Sequence, residues 1–257
     1  MALPFPDLLT VLGVTVFCTA LAVVSYLRKI FNFSGSVSAF AVGMIIGICG
    51  NVLWLVLLLV FLITSFAATK FRFDWKKSQG FQEGIKGERS WRNVAANGAI
   101  PTAIALLSFL ADASDGSGTF LEKDVASLLF VSAIAVAASD TAASEIGIID
   151  PRVYMITTFE KVPRGTDGGV SLTGTFAAFI AAAYSSAISY VVFAGLDKDL
   201  LLGPSTLFIP MLCGFLGCQI DSLIGATWER RKKIGKLGNN FLSIALGTLI
   251  ALTLALL

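Results

Sequence analysis

The sequence predicts an all-α, polytopic membrane protein with about eight transmembrane helices, one integral membrane domain over residues 1–257 and no soluble domain. Three observations carry this expectation. The chain is 56% hydrophobic and only 14% charged, with a mean hydropathy of +0.82, whereas soluble domains carry about 25% charged residues. Apolar stretches recur along its whole length, near the roughly 20 residues a helix needs to cross the hydrocarbon. The basic residues also sort onto one side of an eight-span map.

In order, the spans fall at about 5–27, 35–50, 51–69, 94–111, 124–145, 170–195, 204–225 and 239–257. The first has no basic region before it and no small-residue cleavage site after it, and is expected to be retained as a true span. The second is short and carries Gly43, Gly47 and Gly50, so it must pack closely, tilt little or thin the bilayer. Only Gly50-Asn51 separates it from the third. With this map, seventeen of the nineteen basic residues lie in the loops after the odd-numbered spans; only Lys123 and Lys198 lie opposite. The positive-inside rule puts the basic loops in the cytoplasm and both termini on the other side. Seven spans would scatter these charges.

Some chemistry is excluded. The chain has no histidine, the commonest general base and transition-metal ligand. Cys18, Cys49, Cys213 and Cys218 sit in apolar segments without CxxC spacing, which reads as packing rather than disulfides or metal binding. No nucleic-acid partner is expected.

The remaining polar residues gather at one level. "SDTAASEIG" puts Asp140, Ser144 and Glu145 at the end of the fifth span. "QIDSLIGA" puts Asp221 and Ser222 at the end of the seventh, and "TSFAATKF" puts Ser65, Thr69 and Lys70 at the end of the third. A carboxylate at a helix C-terminus opposes the macrodipole by about 0.3–1 kcal/mol, so these acids call for a cation. Asp140 and Asp221 can hold one between them, and an all-oxygen ligand set favours Mg²⁺. Glu145 is a further ligand or supports the site from behind; it lies about 140° around the helix from Asp140.

The helices running the other way begin at this level, with Ser34-Gly35-Ser36, Asn93 and Asn97 in "NVAANG", the stretch "VPRGTDGGVSLTGT", and Asn239-Asn240. Helix N-termini favour anions. The backbone of Gly165, Thr166, Asp167, Gly168 and Gly169, followed by Ser171, can cradle phosphate, and Lys70, Arg89, Lys161 and Arg164 add positive charge. Each piece has a plainer reading. "GTDGG" is the composition of an ordinary turn, and a single intramembrane Asp can serve interhelical hydrogen bonding. The basic loop of 70–92 can be a topology signal and lipid contact. Asn97 or Asn240 can simply cap or bridge helices.

These stretches, with "GER…NVAANG", resemble the integral-membrane family containing plant phytyl-phosphate kinase and animal transmembrane protein 19, from about the second span to the last. The resemblance implies a prenyl-phosphate kinase, with a nucleoside triphosphate (CTP favoured, or ATP) phosphorylating an isoprenoid monophosphate such as phytyl or geranylgeranyl phosphate. The residues inside matching stretches are Lys70, Arg89, Asn97, Asp140, Ser144, Glu145, Lys161, Gly165, Thr166, Asp167, Gly168, Gly169, Ser171, Asp221 and Asn240. "GKLGNNFLSI" departs from the family by being shorter, which leaves Asn239 and Asn240 as alternatives.

Such a transfer suits a site without histidine, because the acceptor phosphate is already anionic and the task is electrostatic. The expected roles are Mg²⁺ on Asp140 and Asp221, phosphate oxygens on Gly165–Gly169, Lys161 and Arg164, and Asp167 on a second metal or the nucleotide. Lys70 and Arg89 would face the transferring group. Small residues of the second and sixth spans (Ala177, Ala178, Ala181, Ala182) would admit the isoprenoid tail from the lipid bilayer. Two rivals stand: a CTP-dependent lipid cytidylyltransferase with the same ligands, and a secondary transporter, whose site belongs near the midplane on broken helices.

Overall fold

A computed structural model describes residues 6–113 and 121–257; the first residue of the first expected span lies outside them. The helices are α1 (Leu8–Leu27), α2 (Phe33–Cys49), α3 (Val52–Lys70), the short α4 (Phe73–Ser78), α5 (Trp91–Ala113), α6 (Lys123–Gly147), α7 (Leu172–Leu196), α8 (Ser205–Ile224) and α9 (Lys236–Ala255). Among the described residues, seven helices are long and apolar enough to cross a membrane; α2, with 17 residues, is the shorter eighth. No separate soluble domain stands among the described residues.

Helix starts follow local chemistry. Asp7, Asn32, Asn51 and Ser171 each accept a hydrogen bond from a first-turn backbone N–H, capping α1, α2, α3 and α7, which satisfies donors that have no partner within the helix. The break at Gly50-Asn51 is therefore a cap, with Asn51 Oδ1 taking the N–H of Leu53 at 2.8 Å.

The centre of the bundle is α6, packed by α3, α5, α7, α8 and α9. In its most apolar stretch 83% of the residues are buried, against 17% in α1, so α6 meets helices where α1 meets the surroundings. Close approach depends on small residues. A Cβ on Gly214 would sit 2.8 Å from Ala135 Cβ, and one on Gly247 2.6 Å from Val136. Trp54 of α3 stacks on Phe130 of α6 with ring centroids 4.3 Å apart, and its Nε1 donates to Ser127 Oγ at 3.3 Å, satisfying the polar edge of a buried indole.

Two features depart from a purely helical expectation. Between α6 and α7 lies a three-stranded antiparallel sheet of β1 (Val153–Met155), β2 (Lys161–Val162) and β3 (Gly169–Ser171), in the order β2-β1-β3. It shifts the start of the sixth expected span from 170 to Leu172, because 169–171 is strand. At the end of α8 the backbone widens into a π-helical turn, Gly225–Glu229.

Candidate active site

The ends of α6 and α8 and the starts of α7 and α9 meet around a polar cavity of about 1290 Å³, part of it open to the surroundings. Asp140 of α6 and Asp221 of α8 both line it, on neighbouring helices. Asn240 Nδ2 donates to Asp140 Oδ2 at 3.3 Å. Asn239 Nδ2 donates to the Asp221 carbonyl at 3.0 Å and to Glu229 Oε2 at 3.1 Å. The asparagine pair thus divides its work: Asn240 holds an acid side chain, and Asn239 ties α9 to the end of α8 and its π turn. Among the described residues Asp221 Oδ1 is buried without a hydrogen-bond partner.

Two carboxylates on neighbouring helices and an unpartnered oxygen suit a cation. No group of three or more His, Cys, Asp or Glu able to hold a metal occurs among the described residues. Mg²⁺, however, is commonly held by one or two carboxylates together with substrate phosphates, so the pair fits it.

The glycine stretch forms two consecutive tight turns against this cavity. Thr166 N bonds to Pro163 O at 3.4 Å and Gly169 N to Thr166 O at 2.9 Å. The third residue of each turn, Gly165 or Gly168, has φ of +75° or +77°, the left-handed geometry that favours glycine. Gly168 is doubly constrained, since a Cβ there would run into the backbone of Ala226 in the π turn. Thr166 Oγ1 donates to Pro163 O at 2.7 Å, and exposed Asp167 lines the cavity with Gly165, Thr166, Gly168 and Gly169. Ser171 lines it too, but its hydroxyl caps α7 by accepting from Gly174 N at 3.1 Å. Ser144, also at the cavity, donates to Thr141 O at 3.2 Å.

Glu145 lines the same cavity, yet its carboxylate is committed elsewhere. Lys76 of α4, 1% exposed, donates to Glu145 Oε2 at 2.6 Å, to Ala68 O at 3.0 Å and to Glu145 O at 3.3 Å. Thr69 Oγ1 lies 2.9 Å from Glu145 Oε1, and Arg89 Nη2 donates to Thr69 Oγ1 at 3.1 Å while standing 3.9 Å from Glu145. Glu145 is therefore an anchor for Lys76 and Arg89, and Lys76, which the sequence reading passed over, is the central cation of this cluster.

The site does not draw in every basic residue expected there. Lys70 Nζ donates to the Lys86 carbonyl and lies over the rings of Phe66 and Phe73. Lys161 is exposed on β2. Arg164 lies over Trp75, 5.2 Å from its ring centroid, and its Nε donates to Asp150 O at 3.2 Å. None of these three lines the polar cavity. Asp150 fixes the sheet to α7: its carboxylate accepts from Arg152 N at 2.9 Å and from Thr173 Oγ1 at 2.7 Å. The Arg152 amide, then the Thr173 hydroxyl, hold its pKa down to about 2.

Arg89 and Asn97 belong to a second, apolar cavity of about 1020 Å³, also partly open, framed by α1, α2, α3 and α5. Thr69 lines it as well, so the Thr69–Glu145 contact joins the two cavities. The four alanines of the sixth span do not line it. Ala177, Ala178, Ala181 and Ala182 are buried, and Ala177 and Ala181 pack with Ala138 and Ala142 of α6; the expected tail path along α7 is closed by helix packing.

A family model described as integral membrane protein DUF92 matches residues 16–243. Protein PGR of Arabidopsis thaliana is 33% identical over 234 residues, covering 83% of this chain and 80% of that protein. Protein VTE6, chloroplastic, also of Arabidopsis thaliana, is 30% identical over 223 residues, or 85% of this chain and 63% of the relative's length. An uncharacterized membrane protein of Methanocaldococcus jannaschii is 32% identical over 198 residues, with 77% and 74% covered. No solved structure is significantly similar.

Proposed function

The chain belongs to the DUF92 family of integral membrane proteins, and from that membership and the geometry of the helix ends we propose that it is a membrane prenyl-phosphate kinase. It would move the γ-phosphoryl group of a nucleoside triphosphate, CTP in preference to ATP, onto an isoprenoid monophosphate such as phytyl or geranylgeranyl phosphate. The observation that carries the reading is the pair Asp140 and Asp221, with an unpartnered carboxylate oxygen, in a cavity walled by the Gly165–Gly169 turns.

In this reading an acceptor phosphate oxygen attacks the γ-phosphorus. The bond from that phosphorus to the bridging oxygen breaks, and the nucleoside diphosphate leaves with the electron pair. Mg²⁺ held by Asp140 and Asp221 would neutralise charge on the donor phosphates. Asn240 orients Asp140 through its 3.3 Å bond, and Asn239 keeps the end of α8 in register with α9. The backbone N–H groups of Gly165 and Asp167, which the two turns do not use themselves, would face donor oxygens. Arg89 receives the acceptor phosphate, held beside Thr69 by the Glu145–Lys76 anchor. No general base is required, because the acceptor oxygen is already ionised. The basic loops support a cytoplasmic position for this rim under the positive-inside rule.

The test uses purified protein with Mg²⁺, γ-labelled CTP or ATP and geranylgeranyl monophosphate. Label in a lipid diphosphate, lost at least a hundredfold in Asp140→Asn and in Asp221→Asn while both variants stay folded, supports the reading. Pyrophosphate release from an α-labelled donor with no γ-label transfer replaces it with a cytidylyltransferase. No transfer to any prenyl phosphate by the folded protein overturns it.

A further inference from the structure

We propose that the apolar cavity between α1, α2, α3 and α5 seats the isoprenoid chain of the substrate, with its phosphate at the end marked by Ser65, Arg89 and Asn97; this rests on the prenyl-phosphate reading above. The cavity has a closed end and a polar end. At the closed end α1, α2 and α3 converge: a Cβ on Gly47 would lie 2.8 Å from Val14 and 2.9 Å from Leu55. Elsewhere α1 packs on α2, while α3 packs on α6, α2 and α7, and the space lies between α1 and α3. Its lining runs from Leu55 to Thr69 along α3, about 21 Å at 1.5 Å per residue. That length suits an extended chain of several isoprene units.

A gap that only packs lipid has no use for polar groups, yet this one ends in them. Ser65 is 5% exposed, and its Oγ has no hydrogen-bond partner among the described residues; nor has the buried Oδ1 of Asn97. A buried polar atom left unpaired is costly, a cost that a phosphate would relieve at the serine hydroxyl.

The cation beside them is preset. Arg89 N donates to Ile30 O and Arg89 O accepts from Asn32 N, each at 3.0 Å. This pins the residue against the turn between α1 and α2, and only a glycine at position 35 gives its carbonyl room. From Arg89 the contacts lead through Thr69 to Glu145, at the wall of the polar cavity. A phosphate held there by its chain is thus delivered beside the acid pair's compartment.

The experiment uses the full chain in nanodiscs and geranylgeranyl phosphate bearing a diazirine at its far end, with cross-linked peptides mapped by mass spectrometry and phosphoryl transfer assayed separately. Label is expected within residues 14–22, 39–47 or 55–62, removed by excess unmodified prenyl phosphate. Gly98→Leu, which fills the lining, should cut it about tenfold. Gly98→Ala, whose Cβ would rest 3.4 Å from Val42, should leave it nearly unchanged. Arg89→Gln should cut label from the phosphate probe about tenfold and leave that from the uncharged prenol probe intact. Label on α7, α8 or α9 with normal transfer overturns the cavity assignment and spares the kinase reading. Label in the cavity without transfer to any prenyl phosphate keeps the assignment and overturns the kinase. Equal competition by phosphatidic acid overturns the isoprenoid occupant.

Discussion

Removing Glu145 should destabilise the fold more than removing Lys76, and removing both should cost less than the sum. Lys76 is 1% exposed and Glu145 13% exposed at the side chain, 2.6 Å apart. The three donors of the ammonium are met by Glu145 Oε2, Glu145 O and Ala68 O. Truncating one partner of a buried pair costs about 3–5 kcal/mol, whereas replacing both can be nearly neutral. In Glu145→Gln, Lys76 stays buried with only carbonyl and amide oxygens, and Arg89 loses its acid at 3.9 Å, so the upper half of that range applies. In Lys76→Met, Glu145 keeps Arg89 and the Thr69 hydroxyl, which places it in the lower half. One kcal/mol shifts the midpoint by about 2–4 °C in a chain of 150–250 residues, so the single variants should melt on the order of 6–20 °C lower. Thermal unfolding in one detergent, with Lys76→Met, Glu145→Gln and the double variant side by side, reads all three. Additive losses, a worse outcome for Lys76→Met, or shifts below about 3 °C would refute the anchor.

Further outcomes follow from other contacts. Gly168→Ala should destabilise by at least about 1–2 kcal/mol from its left-handed φ alone, with more from the Ala226 backbone; Gly80→Ala, at φ +76° with open space, isolates the first contribution in the same melting assay. Asp150, with its folded pKa at about 2 and an unfolded value of about 3.9, contributes stability that is whole above roughly pH 5 and is lost as pH falls toward 2; Asp150→Asn should flatten the melting temperature over that window. In a Cys49→Ser background, a cysteine at Lys232 should react with an impermeant maleimide only from the cytoplasmic side and one at Gly203 only from the other, because Cys18, Cys213 and Cys218 are buried. Reaction of both from one side would refute the even-span map.

The helices and the acid pair were legible for the same reason: in apolar runs, Asp140 and Asp221 stand out because lipid offers a charge nothing. Asn239 and Asn240 stood out likewise, and only three-dimensional contacts divide their roles. Lys76 was hidden by company. It is one of seven basic residues between positions 70 and 92, and nothing local separates it from Lys77, which is exposed. The sheet left a faint trace, the inward-outward-inward order of Val153, Tyr154 and Met155, but three residues of alternation do not distinguish a strand from a loop. The division of the cationic residues between two cavities depends on the space between α1 and α3, a property of packing with no local signature.

The burial of α6 and the exposure of α1 subject the two helices to different rules of change. At the outward positions of α1, such as Leu9, Leu12, Val16 and Val23, an apolar residue can be exchanged for another of any shape, because fluid chains refit around it. On α6, where Ala133, Ala135, Val136 and Ala137 are fully buried and glycines of α8 and α9 press against Ala135 and Val136, the limit is volume, and a single added methylene is felt. A saturation library would therefore sort by hydropathy along the outward face of α1 and by size along α6. The second pattern would mark, without any assay of catalysis, the helix that carries Asp140.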